Sequence, residues 1–280
     1  MFLSVIIPAY NEEKRLPETL NKVKDYLSHK FYDYEVLIVN DGSKDKTAEI
    51  VLNQIKDWPA CGLIDNKENR GKGAVVKQGM LAAKGDWRLL MDADNSTDIS
   101  ELQKLLQFAK ASSKHEYRST KQIQNSKHEN SKQFNSLEFK NSDLFRISGF
   151  EFRVYDIIIG SRYLNKDSIK IKQPLMRRIV SRLGNLLVRF ILGIRASDTQ
   201  CGFKLFSAEA ADKIFPLQTI DRWGFDMEIL AIAIRKGYKI KEVAIDWYDA
   251  EGSQVKKSAA WKTLKELFEI KWNSIIGKYR

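Results

Sequence analysis

Asp92, Ala93 and Asp94 follow the apolar run Trp87-Arg88-Leu89-Leu90-Met91 and precede Asn95. An apolar run bounded by polar residues predicts a buried strand, here residues 86–92, with the carboxylates where the chain leaves the sheet. Side chains i and i+2 of an extended segment share a face, so Asp92 and Asp94 repel and call for a cation. Hard oxygen ligands at an open edge suit Mg²⁺ or Mn²⁺ bridging to the phosphates of a substrate. A polar strand end with a solvated turn is the plainer reading of a lone Asp-x-Asp. The rest of the chain must decide between them.

Further short apolar segments recur at residues 4–8, 35–40 and 62–65. Helical patterns lie between them, to about residue 28, from 45 or 47 to 56, and from the Asn69-Arg70-Gly71-Lys72-Gly73 turn to about 84; a fourth is expected over 99–111. Strands alternating with helices of this length predict a parallel, doubly wound α/β sheet. Ligands of such sheets bind beyond the carboxyl ends of the strands, and Glu12, Asp41, Asp92 and Asp94 all fall at or just past those ends. Residues 155–162 predict a fifth strand running into Arg162, and residues 198–206 a turn and a short strand. A helix entered at Arg222 and closed by Gly237 follows, then a last strand within 238–247.

The 280 residues carry a net charge of +11, and 43% are hydrophobic. That fits one soluble domain over 1–280. No apolar run reaches the ~18–20 residues of a membrane span. The first residues lack a charged region and a cleavage site, so they are expected to form a strand and not a signal peptide. Two cysteines, Cys61 and Cys201, make neither a disulfide framework nor a zinc set and fit a reducing cytoplasm. Residues 112–150, rich in Ser, Lys, Asn and Gln, are expected to be a flexible surface insertion. Their mixed charge and few aromatics argue against a nucleic-acid arm.

The positive charge is local. Residues 170–195 hold seven basic residues and no acid, and residues 255–280 seven basic residues and two acids, which leaves the remainder near neutral. Residues 175–194 form a helical pattern. Leu183, Leu186, Leu187, Phe190 and Ile194 lie on one side, and Arg182, Asn185 and Arg189 on the other, with Val188 and Leu192 interrupting. The basic tail repeats the device with Trp261, Leu264, Phe268, Trp272 and Ile275. Such helices either pack on the core with solvated arginines or lie on an anionic membrane face.

Five motifs in register resemble one family. They are Val5-Ile6-Ile7-Pro8-Ala9-Tyr10-Asn11-Glu12-Glu13, Val39-Asn40-Asp41-Gly42-Ser43, Asn69-Arg70-Gly71-Lys72-Gly73, Asp92-Ala93-Asp94 and Gly160-Ser161-Arg162. Together they resemble the family 2 inverting glycosyltransferases of the GT-A fold, a Rossmann-like, mostly parallel sheet flanked by helices. Asp198-Thr199-Gln200-Cys201-Gly202-Phe203-Lys204-Leu205-Phe206 and Arg222-Trp223-Gly224-Phe225-Asp226-Met227-Glu228 resemble the branch that loads polyprenyl phosphates, dolichyl-phosphate β-glucosyltransferases among them. The resemblance covers roughly 3–110 and 155–272 and omits the insertion.

The resemblance implies a nucleotide pocket lined by Pro8, Tyr10, Glu12 and Asp41. Gly71 would allow close backbone approach, with Lys72 reaching a phosphate. Asp92, Ala93 and Asp94 would meet the donor, the two carboxylates holding Mg²⁺ or Mn²⁺. Arg162 and Arg222 would face phosphate. The reaction would be a single displacement with inversion, most simply glucose from UDP-glucose onto a polyprenyl or dolichyl phosphate. A hydroxyl acceptor would require a base, for which Asp198 and Asp226 are the candidates. A phosphate acceptor carries about −1.5 to −2 charge at pH 7 and needs placement instead. Each residue also has a plainer role, as a turn, a helix cap or an ion pair. Ser96 stands where mannose-transferring relatives often place Gln, which favours the glucosyl branch. A lipid acceptor implies a protein held peripherally at the cytoplasmic membrane face. Two alternatives stand beside this: a GT-A transferase (mannosyl or other) with a hydroxyl or other lipid acceptor, and a non-catalytic surface-binding protein on the same fold. No nucleic-acid partner is expected. The oligomeric state is left open.

Overall fold

The computed structural model describes residues 1–109, 155–165, 167–170, 175–248 and 259–280, with side chains in the last two long helices from Arg182 and Lys262 onward. The insertion at 112–150 and the start of the basic tail at 255–258 lie outside the described residues. In chain order the elements are β1 (Phe2–Ala9), α1 (Leu16–Ser28), β2 (Asp33–Asp41), α2 (Thr47–Lys56), β3 (Cys61–Asn66), α3 (Lys72–Ala82) and β4 (Trp87–Met91). A 3₁₀ turn (Ile99–Glu101) enters the short α4 (Leu102–Leu106). Then come β5 (Ile157–Ser161), α5 (Leu175–Leu192), β6 (Phe203–Ser207), α6 (Ala208–Ile214), α7 (Phe225–Arg235), β7 (Ile240–Ala244) and α8 (Ala259–Ile275).

The seven described strands form one sheet in the order β3-β2-β1-β4-β6-β5-β7. All neighbours are parallel except β6, which runs antiparallel to both β4 and β5. Side chains alternate across the sheet and build two cores. Ile6, Val39, Leu90, Ile159 and Phe206 meet α3, α6 and α7 on one face. Val5, Ile38, Leu89, Ile158 and Leu205 meet α1 and α4 on the other. This is the mostly parallel, helix-flanked sheet expected from the sequence.

Two local expectations are corrected. β4 stops at Met91, so Asp92 already belongs to the following turn. The helix expected over 99–111 is only a 3₁₀ turn and five helical residues. Its extension is pre-empted, because Ala109 bridges Tyr155 in parallel and Phe108 O accepts from Tyr155 N (3.3 Å).

The reversed β6 matters most for the site. The carboxyl ends of β1, β2, β4 and β5 share one edge, and β6 starts from that edge. Register places Met91 beside Phe203, so residues 92 and 202 face each other just outside the sheet.

On the α3 face, Gly79 lets the helix sit close to the strands. A Cβ there would stand 2.5 Å from Ile6 Cγ2 and 2.8 Å from Val39 Cγ2. Gly79→Val should therefore destabilise the fold by about 1–3 kcal/mol through overpacking, read as a lower urea midpoint at unchanged m-value.

Candidate active site

The chain turns sharply after Met91. Ala93 is buried, and its carbonyl accepts from Thr19 Oγ1 on α1 (2.7 Å). Asn95 takes a left-handed φ of 56°, and Asp94 Oδ1 accepts from Ser96 N (3.0 Å). Asp92 and Asp94 are both half-exposed. They share a turn, not the face of an extended strand, so their proximity comes from the turn and not from strand alternation. Gly202 packs directly on Asp92: a Cβ on Gly202 would overlap the Asp92 carboxylate.

Positive charge comes from beneath. Lys72, at the start of α3, places Nζ 2.6 Å from Asp92 Oδ1. Burial works to lower the Lys72 ammonium, but Asp92 and Asp226 outweigh it and hold the ammonium above its ordinary range. Lys204 is fully buried, with Nζ 2.5 Å from Asp226 Oδ1 and a further bond to Cys201 O. Asp226 is buried in the first turn of α7. Burial pushes its carboxyl up against the pull of Lys204 and Lys72. Asp92, Lys72, Asp226 and Lys204 thus form one charge-alternating set. Sequence reasoning misses Lys204 because it sits among Phe203, Leu205 and Phe206. A usable signal exists all the same, since a lysine flanked by apolar residues in a central strand must have a counter-ion.

The other expected donor-side residues surround the same edge. Pro8 is buried near the end of β1, beyond the last β1–β4 pair of Ile6 with Leu90, and interrupts no pair with β4. Tyr10 is half-buried at the strand end. Glu12 grips Arg15 through Nε (2.7 Å) and Nη2 (2.5 Å). Burial raises the Glu12 carboxyl, with Arg15 opposing. Asp41 organises the next loop: it accepts from Arg70 N (2.7 Å), Gly71 N (3.0 Å) and Asn69 Nδ2 (2.9 Å). Gly71 caps α3 at φ 105°, where a side chain would overlap Asp221 O. Arg222 is exposed beside Gly71, and the Trp223 ring lies 5.5 Å from Lys72 Nζ.

Arg162 leaves β5 and meets Asp198 through Nε (2.6 Å), Nη2 (2.8 Å) and its own backbone N–H (3.1 Å). Its guanidinium lies 5.3 Å from the Trp247 ring. Asp198 is fully buried, and Glu242 of β7 holds its backbone N–H (2.8 Å). Burial alone would raise the Asp198 carboxyl, but Arg162 holds it below the usual range. Burial also pushes the neighbouring Cys201 thiol up to about 12. Asp198 and Asp226 are therefore each paired with a buried cation, Arg162 and Lys204.

The donor set suits a hard divalent cation. Asp92 and Asp94 offer carboxylate oxygens at a half-exposed turn, as Mg²⁺ and Mn²⁺ require when substrate oxygens and water complete the shell. Among the described residues no third His, Cys, Asp or Glu joins them into a cage. A cation held there would act as a Lewis acid on a bound diphosphate.

The sheet and its flanking helices form a fold of the GT-A type. The glucosyl-3-phosphoglycerate synthase of Mycobacterium tuberculosis, solved with Mn²⁺, UDP-glucose and phosphoglyceric acid, shares the architecture. It superposes with a TM-score of 0.60 at 14% identity, over 96% of this chain and 79% of that one. The model of glycosyl transferase family 2 matches residues 4–215, and the chain belongs to that family. A dolichyl-phosphate beta-glucosyltransferase of Trichomonas vaginalis is 35% identical over 96% of this chain and 73% of its own length. Those of Saccharomyces cerevisiae and Homo sapiens are 34% and 31% identical, over 100% and 99% of this chain and 77% of their own. The chain is accordingly an enzyme, a glycosyltransferase.

The Arg162–Asp198 pair yields a stability test. Asp198→Asn leaves a buried guanidinium unpaired and should cost about 3–5 kcal/mol at pH 7 by denaturant titration. The folded Asp198 pKa is depressed, so its stabilisation is complete above the unfolded value of ~3.9 and is lost as pH falls through the folded pKa. The gap between wild type and Asp198→Asn should accordingly narrow below about pH 4.

Proposed function

We propose that this enzyme transfers glucose from UDP-glucose, with inversion, to a polyprenyl phosphate of the dolichyl kind, working at an anionic membrane face. The sugar and acceptor follow the names of relatives that align over nearly the whole chain. The observation that carries the lipid part is the orientation of α5. Packing on the core is one of the two roles that the sequence allows its Leu183–Phe190 side. Instead the helix buries Asn185 and Val188 and turns Leu183, Leu186 and Phe190 outward, Phe190 being 87% exposed. Asn185 is held inside by Thr199 Oγ1 (2.9 Å). α8 packs beside α5. It buries Leu267 and Ile270, while Phe268, Trp272 (63% exposed) and Ile275 point out.

Leu186, Arg189, Phe190, Gly193, Ile194 and Arg195 surround a shallow, open surface depression. Apolar walls with two arginines suit a lipid that ends in phosphate. Gly193, at φ 71°, ends α5, and three residues beyond Arg195 the chain reaches Asp198 at the site edge. No described helix is long and apolar enough to cross a membrane. Attachment through these two faces would be interfacial and salt-sensitive.

In this reading Pro8, Tyr10, Glu12 and Asp41 shape the nucleotide pocket, and Gly71 lets backbone approach the diphosphate. Asp92 and Asp94 would hold a divalent cation, which would supply positive charge to the leaving diphosphate. Lys72 adds a fixed positive charge at the α3 N-terminus, where phosphate binding is favoured. Arg222 lies exposed at the same end. An acceptor phosphate oxygen bonds to the anomeric carbon, and the bond to UDP breaks with its electron pair leaving on the diphosphate. A phosphate acceptor is already ionised, so the reaction needs no base. That fits Asp198 and Asp226 being committed to Arg162 and Lys204.

UDP release measured over a panel of nucleotide sugars, with Mg²⁺ or Mn²⁺ and a short polyprenyl phosphate, tests this. Lipid-dependent release from UDP-glucose is expected, reduced about 10²-fold or more in Asp94→Asn, the scale of losing one charge-stabilising group. Turnover with a hydroxyl acceptor and none with any lipid phosphate would sink the proposal. Co-sedimentation with anionic vesicles should fall sharply in Phe190→Glu/Trp272→Glu and with added salt, while wild type at low salt pellets with the lipid.

A further inference from the structure

The inner face of α8 reaches the segment that covers the α3 N-terminus. Residues 218–224 run from the end of the 3₁₀ turn Phe215–Leu217 to α7. Asp221 O accepts from Ala74 N (3.1 Å). The Asp221 and Ile220 carbonyls fill the space where side chains at Gly71 and Gly73 would stand. Trp223, in the same segment, packs against Lys72. The position of this segment therefore fixes both the backbone cradle at residues 71–73 and the lysine that pairs with Asp92.

The segment is held at both ends. At its start Gln218 Nε2 donates to Gly73 O and Ile220 O (both 2.9 Å). The buried Glu228 carboxylate accepts from Thr219 N (3.0 Å), Thr219 Oγ1 (2.7 Å) and Ile220 N (2.8 Å), and also from the Tyr279 hydroxyl (2.8 Å). At its far end the hold comes from outside: Gly224 N donates to Glu266 Oε2 on α8 (2.7 Å). Gly224 also packs closely on α8, since a Cβ there would lie 2.8 Å from Glu266 Cβ. Between these anchors Asp221 and Arg222 are exposed and Trp223 is half-buried. Glu266 is itself half-buried, and the packing of α8 rests on Leu267 and Ile270.

We infer that Glu266 is a positioning residue for the donor diphosphate: its bond to Gly224 N holds residues 221–224, and with them Trp223 and Lys72, in the arrangement that a nucleoside diphosphate meets. This rests on the proposed nucleotide-sugar site but not on the identity of the acceptor. Calorimetric titration of UDP with Mn²⁺ into the full chain reads it directly. Glu266→Ala should weaken UDP binding about ten-fold, the scale of one charge-assisted hydrogen bond. The KM for UDP-glucose should rise alike, with the KM for the lipid phosphate and the thermal midpoint little changed. Glu266→Gln keeps a carbonyl acceptor and should restore most of the affinity. Unchanged UDP affinity in Glu266→Ala overturns the role of Glu266. So does an affinity loss in both variants that tracks a fall in thermal midpoint. Failure of wild type to bind UDP overturns the donor site as well. Because the titration contains no lipid, its outcome for Glu266 does not depend on which acceptor the enzyme uses.

Discussion

Negative charge is crowded along one edge of the sheet, and the site depends on how each carboxylate is balanced. Asp92 has Lys72, Asp226 has Lys204, Asp198 has Arg162 and Glu12 has Arg15. Asp41 is satisfied by the backbone N–H groups of Arg70 and Gly71. Among the described residues Asp94 has a backbone N–H and no ion pair. A carboxylate near other carboxylates and without its own cation gains most when a cation arrives. On the proposed reading Asp94 would be the point of metal capture, with Asp92 already paired with Lys72 beside it. Buried pairs elsewhere fix the scaffold without competing for that cation.

This balance exists because one strand runs backwards. In an all-parallel sheet the neighbour of β4 would bring its carboxyl end to the site, followed by a loop and a helix. β6 brings its amino end instead. That sets Gly202 against Asp92 and inserts Lys204 between β4 and β5, opposite Leu90 and Ile159. Lys204 occupies the face otherwise lined by Phe206, and Asp226 at the start of α7 is its counter-ion. A buried charge costs several kcal/mol unless paired, so the pair ties the register of β6 to the position of α7. The same register carries Asp198 to Arg162, at the end of the next strand.

Much of this is legible in the sequence where local pattern and chemistry coincide. The apolar strands, the loops after them and the glycines at 71 and 237 follow from alternation and turn requirements. The motif carboxylates all arrive at one edge because the strands are parallel. What is not legible depends on partners distant in sequence. Thr19 holds the Ala93 carbonyl from 74 residues away, and Glu242 holds the backbone of Ser197 and Asp198 from more than 40. Neither has a local signature. The motifs point Arg162 and Asp198 each toward substrate, and only the fold reveals that they face each other. The helix expected over 99–111 fails for a similar reason, since its last residues pair with Tyr155.

Periodicity says that a helix has an apolar side; it does not say what covers that side. In α5 the polar Asn185 points inward, because Thr199 supplies its hydrogen bond, and the broad apolar side is left to the exterior. In α8 the stripe of Phe268, Trp272 and Ile275 is likewise outside, while the less conspicuous Leu267, Ile270 and Asn273 form the buried side. That inner side also carries Glu266 to Gly224 and places Asn273 Nδ2 3.5 Å from Thr219 Oγ1. One helix thus joins an exposed apolar surface to the segment over the α3 N-terminus. Two helices with outward apolar faces, side by side, are costly in water unless something apolar covers them. A lipid surface would cover both at once, and it would do so with the helix that carries Glu266 already in contact with the segment over the α3 N-terminus.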